Sequence, residues 1–98
     1  MKIAWINALA RPAGGAERYV RDTAKELADR GVRSVLFYDV KATPDPSPSM
    51  LAPFEGGFPI VDLGRQLREV APDVVYVHQI QDGAALRALA ASPFPAVR

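Results

Sequence analysis

Short apolar runs separated by helical patterns are the feature that most constrains the fold of this chain. Such runs are typical of strands buried on both faces, as in a parallel sheet covered by helices. The weakest run follows Pro59, and a proline at the entry of a strand disturbs pairing least. The runs predict four strands, over residues 3–7, 34–38, 60–63 and 74–78, and Ala96 and Val97 begin a fifth.

The clearest helical pattern lies between the first two runs, over residues 16–30. Its apolar side chains have the spacing of one buried stripe, formed by Ala16, Val20, Ala24, Leu27 and Ala28. Acid-first pairs at i,i+4 spacing suit the opposite, charged face: Glu17–Arg21 and Glu26–Arg30. Gly31 stands where a left-handed residue would end the helix. Strand, helix and strand together predict a βαβ unit with a right-handed crossover.

The rest of the chain predicts a long loop and two further helices. Residues 41–59 hold five of the nine prolines, which favours a surface loop over regular structure. A helix over 64–70 ends before Pro72, and its buried side is formed by Leu63, Leu67, Val70 and Ala71. Asp82 is a suitable N-cap for a helix that runs to residue 91, with a buried side of Ala85, Leu86 and Leu89.

Together these elements predict an α/β fold, a Rossmann-like three-layer α/β/α domain with a mainly parallel sheet. The domain would take in the whole of residues 1–98, with the 41–59 loop inside it. Doubly wound sheets commonly have five or six strands, so we expect the domain to be incomplete at its C-terminal end. An unpaired sheet edge in so short a segment also predicts marginal stability and self-association.

The composition excludes several kinds of site. Twelve Lys and Arg against eleven Asp and Glu give a net charge of +1, which argues against nucleic acid as a partner. The chain has no cysteine, which removes disulfides and thiolate metal sites, and a lone histidine cannot form a histidine-rich one. No apolar run approaches the roughly 20 residues that span a bilayer, and the N-terminus does not have the pattern of a signal peptide. We therefore expect a cytoplasmic protein without a metal site.

The loop after the first strand is the first candidate for chemistry. Gly14 and Gly15 precede the long helix, at the sheet edge where ligands of parallel sheets collect. Glycines there let a ligand approach the backbone, and the helix N-terminus attracts a phosphate. A tight turn with no ligand explains the same two glycines, and both interpretations stay open. The chain has neither G-x-x-x-x-G-K-[ST] nor G-x-G-x-x-G, which disfavours a P-loop and a dinucleotide site.

Two more polar residues follow strands at the same edge. Asp39 follows the second strand, where a dehydrogenase would hold a ribose, but without the glycine pattern we interpret it as a solvated strand-end residue. His78 ends the strand over 74–77 and can hydrogen-bond a sugar hydroxyl or a phosphate, or a neighbouring loop instead. The nearby Gln79, Gln81 and Asp82 add polar groups, and Asp82 already serves as a helix cap.

Three segments resemble the amino-terminal region of GT-B glycosyltransferases of family 4. They are G-G-A-E-R at residues 14–18, L-A-D-R-G at 27–31, and P-D-V-V-Y-V-H at 72–78. Tyr76 replaces the first histidine of the family's P-D-V-V-H-x-H strand, which is a departure from the pattern. The likeness runs along nearly all 98 residues, and the glycine segment with its helix is its most specific part.

The resemblance implies a retaining enzyme that uses a nucleotide-sugar as a substrate, with no cofactor. Such enzymes have two Rossmann-like domains, and residues 1–98 would be the acceptor-side half. Gly14 and Gly15 would approach the diphosphate of the donor, and Glu17 and His78 would lie near the acceptor or the transferred sugar. No catalytic residue is assigned, and His78 is the candidate. The donor-binding domain, with its E-x7-E carboxylates, would lie outside this segment, so the segment alone would be inactive.

As partners, the resemblance implies a nucleotide-sugar, an acceptor, the donor-binding domain and a membrane surface for peripheral association of the full-length enzyme. Two other functions stay open. A flavodoxin-like binding module would use the same sheet edge for a small molecule without transferring a sugar. A non-catalytic interaction domain would use the proline-rich loop over 41–59 and need no ligand.

Overall fold

A five-stranded parallel sheet lies between two layers of helices. The structure is a computed structural model, and it describes residues 1–10, 15–80 and 83–97. In chain order its elements are β1 (Lys2–Asn7), α1 (Gly15–Asp29), β2 (Arg33–Tyr38), α2 (Pro48–Leu51), β3 (Gly56–Pro59), α3 (Leu63–Val70), β4 (Val74–Gln79), α4 (Gly83–Ala91) and β5 (Ala96–Val97). The predicted three-layer α/β/α fold with a parallel sheet is confirmed.

The strand order is β3-β2-β1-β4-β5, and every neighbouring pair is parallel. The chain therefore builds outward from β1 to β3, then returns past β1 to add β4 and β5 on the other side. Right-handed crossovers that run in opposite directions place their helices on opposite faces of the sheet. The switch point of the sheet consequently lies between the carboxyl ends of β1 and β4, the position at which open parallel sheets bind their ligands.

Each face of the sheet carries its own apolar core, because successive side chains of a strand point to opposite faces. The core under α1 and α2 is formed by Trp5, Ala10, Val20, Ala24, Leu36, Tyr38, Met50 and Phe54. The core under α3 and α4 is formed by Ala4, Ile6, Val35, Phe37, Leu63, Leu67, Val75, Val77, Ala85 and Leu89. The apolar runs in the sequence are continuous because neighbouring residues of a strand alternate between these two cores.

The predicted third strand over 60–63 is wrong, since β3 lies at Gly56–Pro59. The apolar run after Pro59 belongs instead to the entry of α3. Asp62 is the N-cap of that helix, and its Oδ1 accepts a hydrogen bond from the N–H of Arg65 at 3.2 Å. Gln66 holds the turn on both sides, because its side chain accepts from Val61 N–H and donates to the carbonyl of Pro59.

The predicted loop over 41–59 contains more regular structure than its prolines indicate. Its last four residues are β3, and α2 lies in its middle, with Pro48 at the start of the helix. Proline fits there because the first helical N–H needs no partner. Met50 is fully buried under α1, so this segment closes one face of the sheet.

The buried stripe of α1 is rotated from the predicted one. Ala28 is exposed rather than buried, and the side chain of Ala16 lies outside the described part of the structure. Val20 and Ala24 are buried as predicted, Leu27 is partly buried against the same core, and Glu17 joins Val20 and Ala24 at the i, i+3, i+7 spacing of one helix face. The rotation carries Glu17 inward, so the predicted Glu17–Arg21 pair is absent, and Arg21 bonds its neighbour Asp22 at 3.0 Å.

Other predicted contacts have mixed outcomes. The Glu26–Arg30 pair is present at 3.1 Å. Leu86 is only half-buried, because Ala85 and Leu89 take the inward side of α4. Ala71 is exposed rather than buried, because it lies beyond the last turn of α3 and has a φ of 50°. Asp82, the predicted cap of α4, lies outside the described residues.

Both α1 and α3 are followed by a left-handed residue, which gives a matched pair of substitutions. Gly31 has a φ of 83°, and a Cβ added there would meet no atom within 4 Å. Gly31→Ala should therefore lower the free energy of unfolding by about 1–2 kcal/mol through backbone strain alone. Ala71→Gly should not lower it, because relief of strain offsets the added chain entropy. Urea denaturation of both variants measures the difference, and a neutral Gly31→Ala would contradict the strain argument.

Candidate functional site

Polar side chains collect at the carboxyl ends of β1 and β4, on the side of the sheet that α1 covers. Trp5 and Tyr76 pack together on this side, with ring centroids 4.8 Å apart. Asn7 and His78 lie two residues further along the same strands, so strand alternation places them on the same side. The strand register shifts between Ile6 and Asn7, at the point where this edge begins.

Asn7 and His78 are joined by a hydrogen bond across the two strands. The Oδ1 atom of Asn7 lies 3.3 Å from Nδ1 of His78, and the Asn7 Nδ2 group donates to the carbonyl of Leu9 at 2.7 Å. The Asn7 side chain is fully buried. The sequence reasoning did not single out this residue, although a polar side chain ending a buried strand at a switch point is a detectable signal.

Two tyrosines fix the plane of the His78 ring. The Tyr19 ring of α1 is stacked with it at a centroid distance of 6.2 Å, and the Tyr76 ring of β4 at 6.3 Å. The contact with Tyr19 also shows that the first turns of α1 lie beside the end of β4. The imidazole is half-buried and is held by rings and by one hydrogen bond.

Glu17 is the most unusual residue of the site. It lies in the first turn of α1, only 5% of the residue is exposed, and within the described part of the chain its Oε2 is the one fully buried side-chain N or O atom without a hydrogen-bond partner. An unsatisfied buried polar group costs about 1–3 kcal/mol. The positive end of the helix offsets part of that cost. A ligand that donates a hydrogen bond to Oε2 would remove the rest.

Of the two glycines that precede the long helical pattern, the structure describes Gly15. Gly15 is the first residue of α1, it does not have a positive φ, and an added Cβ would meet no atom within 4 Å. Gly15 therefore does not require a left-handed backbone. Gly14 and Gln81 lie outside the described residues.

Asp39 lies at the same edge of the sheet but closes its own turn. Its Oδ1 accepts a hydrogen bond from the N–H of Lys41 at 2.9 Å, as expected of a strand-end residue. A cavity of about 310 Å³ lies next to it, lined by Asp39, Val40, Lys41, Ile60 and Ile80. The carboxyl edge of the sheet thus has a polar cluster under α1 and a mixed, open cavity beside it.

A comparison with protein families identifies the chain. The sequence model of Glycosyltransferase Family 4 matches residues 13–98, which is most of the chain and takes in α1, His78 and all the strands after β1. The chain belongs to glycosyltransferase family 4. Among curated proteins and among solved structures, no match is found.

The family 4 domain therefore holds three of the four predicted site residues at one sheet edge: Gly15, Glu17 and His78. Asn7 joins them through its bond to His78. Over residues 1–10, 15–80 and 83–97, no group of three or more His, Asp or Glu residues could hold a metal ion. Within the same ranges, no helix has the length and apolar character to cross a membrane.

The unpartnered carboxylate of this family 4 domain predicts a conflict between stability and binding. Glu17→Leu removes a buried group that lacks a partner, at the loss of a helix-end attraction of about 0.3–1 kcal/mol. We expect the free energy of unfolding of the ligand-free protein to rise by about 1 kcal/mol. Glu26→Leu is the matched control on the exposed side of α1, where the change should stay within about 0.5 kcal/mol. A clear loss of stability in Glu17→Leu would show that the carboxylate is satisfied without a ligand.

Proposed function

We propose that this domain is the acceptor-side portion of a retaining glycosyltransferase, which moves a sugar from a nucleotide-sugar to an acceptor hydroxyl. Its family membership supports glycosyl transfer over the flavodoxin-like module and the non-catalytic interaction domain. The observation that carries the proposal is the buried, unpartnered Oε2 of Glu17 at the switch point of the sheet. A polyhydroxylated ligand supplies the hydrogen-bond donor that this atom lacks.

The charge of Glu17 assigns it to a sugar rather than to a phosphate. A carboxylate and a diphosphate repel one another, and the repulsion is strong where water is excluded. Hydroxyl groups of the transferred sugar or of the acceptor instead donate to a carboxylate, and such charge-assisted bonds are about twice as strong as neutral ones. Glu17 would thus contact a sugar ring, and binding would supply the missing partner.

Gly15 is suited to the diphosphate of the donor. As the first residue of a 15-residue helix it presents a free N–H group and the positive end of the helix dipole. Among the described residues no atom lies within 4 Å of the position of an added Cβ, which leaves room for a phosphate oxygen to approach the backbone. Gly14, the other residue proposed for this contact, directly precedes Gly15 in sequence.

His78 would bind a hydroxyl group beside the Glu17 carboxylate. Its ring is stacked with those of Tyr19 and Tyr76 and lies at the carboxyl end of β4, beside β1 in the sheet. The donor-binding domain with its own carboxylates would close over this edge in the full-length protein. Peripheral contact with a membrane and self-association through an outer strand stay predictions.

The stereochemistry of the product tests the proposed function. The full-length protein should transfer a sugar from a nucleotide-sugar and retain the anomeric configuration, which proton NMR of the first product reads from the coupling at the anomeric carbon. Transfer should persist in a chelator, because helix ends and basic side chains can stabilise the leaving diphosphate. An inverted product, or activity that requires an added divalent metal, would contradict the proposal.

Substitution of Gly15 tests the phosphate contact separately. Gly15→Val should leave the melting temperature nearly unchanged, since the backbone is helical and the added atoms meet open space. It should lower kcat/KM for the nucleotide-sugar by about 10²–10³, the cost of losing one well-placed oxyanion contact.

Gly64→Ala is the matched control for that substitution. Gly64 lies at the start of α3, and an added Cβ would make only ordinary contacts there. The control should leave kcat/KM per folded molecule unchanged. An unchanged kcat/KM in Gly15→Val as well would remove the phosphate contact from the proposal.

A further inference from the structure

Asn7 holds the His78 ring in one defined hydrogen-bonded state. The Asn7 amide has a fixed orientation, because its Nδ2 group donates to the carbonyl of Leu9 at 2.7 Å and a carbonyl can only accept. The other end of the amide, Oδ1, therefore faces His78 Nδ1 at 3.3 Å. An amide oxygen is an acceptor only, so the hydrogen of this bond has to come from the imidazole.

The direction of that bond determines which nitrogen of His78 is protonated in the neutral ring. With the proton on Nδ1, the Nε2 atom carries a lone pair and accepts a hydrogen bond. In the described part of the chain, no side chain or backbone group hydrogen-bonds Nε2. Nε2 is thus the one polar atom of the ring left for a ligand.

The other described groups beside the ring do not compete for the proton. Tyr19 of α1 and Tyr76 of β4 meet the imidazole through stacked rings. Glu17 is the carboxylate of α1 on this side of the sheet, and it makes no ion pair with His78. Asn7 of β1 is the neighbour that bonds a ring nitrogen, and its bond fixes the tautomer.

We propose that Asn7 is a positioning residue, which holds His78 as the Nδ1–H tautomer so that Nε2 accepts a hydrogen bond from a hydroxyl group of the ligand. The ligand class is a polyol, and its identity as a sugar or an acceptor rests on the proposed function. The tautomer itself does not rest on it, because both partners of the bond belong to this chain. The two ideas can therefore be tested separately.

Nitrogen-15 NMR of the imidazole reads the tautomer directly. His78 is the one histidine of the 98 residues, and a His78→Gln variant assigns its signals in a longer protein as well. At pH about 9, where an ordinary imidazole is neutral, Nδ1 should show the shift of a protonated nitrogen and Nε2 that of an unprotonated one. A protonated Nε2 in the wild-type protein would overturn the proposal without any variant.

Two substitutions of Asn7 sharpen the test. Asn7→Leu removes the acceptor, so the spectrum should change to a mixture of the two tautomers. Asn7→Asp keeps an acceptor beside Nδ1 and should keep the Nδ1–H form, while loss of the donor to the Leu9 carbonyl lowers the free energy of unfolding. A Nδ1–H signal that is unchanged in Asn7→Leu would assign the tautomer to another cause and overturn the role of Asn7. If the Asn7 variants do not fold, the wild-type spectrum still decides.

A kinetic comparison distinguishes positioning from a general effect on stability. In the full-length enzyme Asn7→Leu should lower kcat/KM about 10–100-fold, the range for loss of an outer partner of a metal-binding histidine. Ser34→Ala is the matched control, because it breaks another buried side-chain hydrogen bond, from Trp5 Nε1 at 3.0 Å, and Ser34 pairs with Ile3 at the other end of β1. Equal losses in Asn7→Leu and Ser34→Ala would overturn the proposal. Because the spectra need no ligand, a failure of the proposed function would leave their result decisive.

Discussion

The pairing of β1 with a parallel strand on each side is the constraint on which the rest of the structure depends. β1 hydrogen-bonds β2 along one edge and β4 along the other, and its side chains from Ala4 to Asn7 are all buried. With both edges occupied, the chain has to leave β1 toward β2 and later return past it to reach β4. The two connections lie on opposite faces, so the position of the switch point between β1 and β4 follows from the topology.

β1 contributes residues both to the apolar cores and to the candidate site. Trp5 and Ile6 belong to the two apolar cores, while Asn7 next in sequence turns its amide to Leu9 and His78. Asn7 is satisfied on both sides, whereas Glu17 is buried with one oxygen unpartnered. A folded protein keeps such a group where binding a ligand outweighs the loss of stability. This contrast is the reason why we propose a positioning role for Asn7 and a binding role for Glu17.

Much of the fold could be predicted because both sheet faces are apolar and α1 has a clear helical period. The third strand could not be predicted, since Gly56 and Gly57 carry no side chains and an outer strand needs little apolar surface. The apolar run after Pro59 was wrongly predicted to be a strand, because a short apolar run can precede a helix as well as form a strand. The burial of Glu17 could not be predicted either, since Val20 and Ala24 fit a buried helix face that includes either Ala16 or Glu17.

The sequence by itself determined the α/β class, the α1 helix between two buried strands, and Gly15 and His78 as residues of one sheet edge. Local periodicity and the order of strands along the chain are enough for these, because they depend on neighbours in sequence. Only the tertiary structure decided that Glu17 is buried without a partner and that Asn7 bonds His78. Asn7 and His78 are 71 positions apart in sequence, and no local sequence pattern specifies their hydrogen bond. The parallel register of β1 and β4 brings them together, and that register forms only when the whole sheet does.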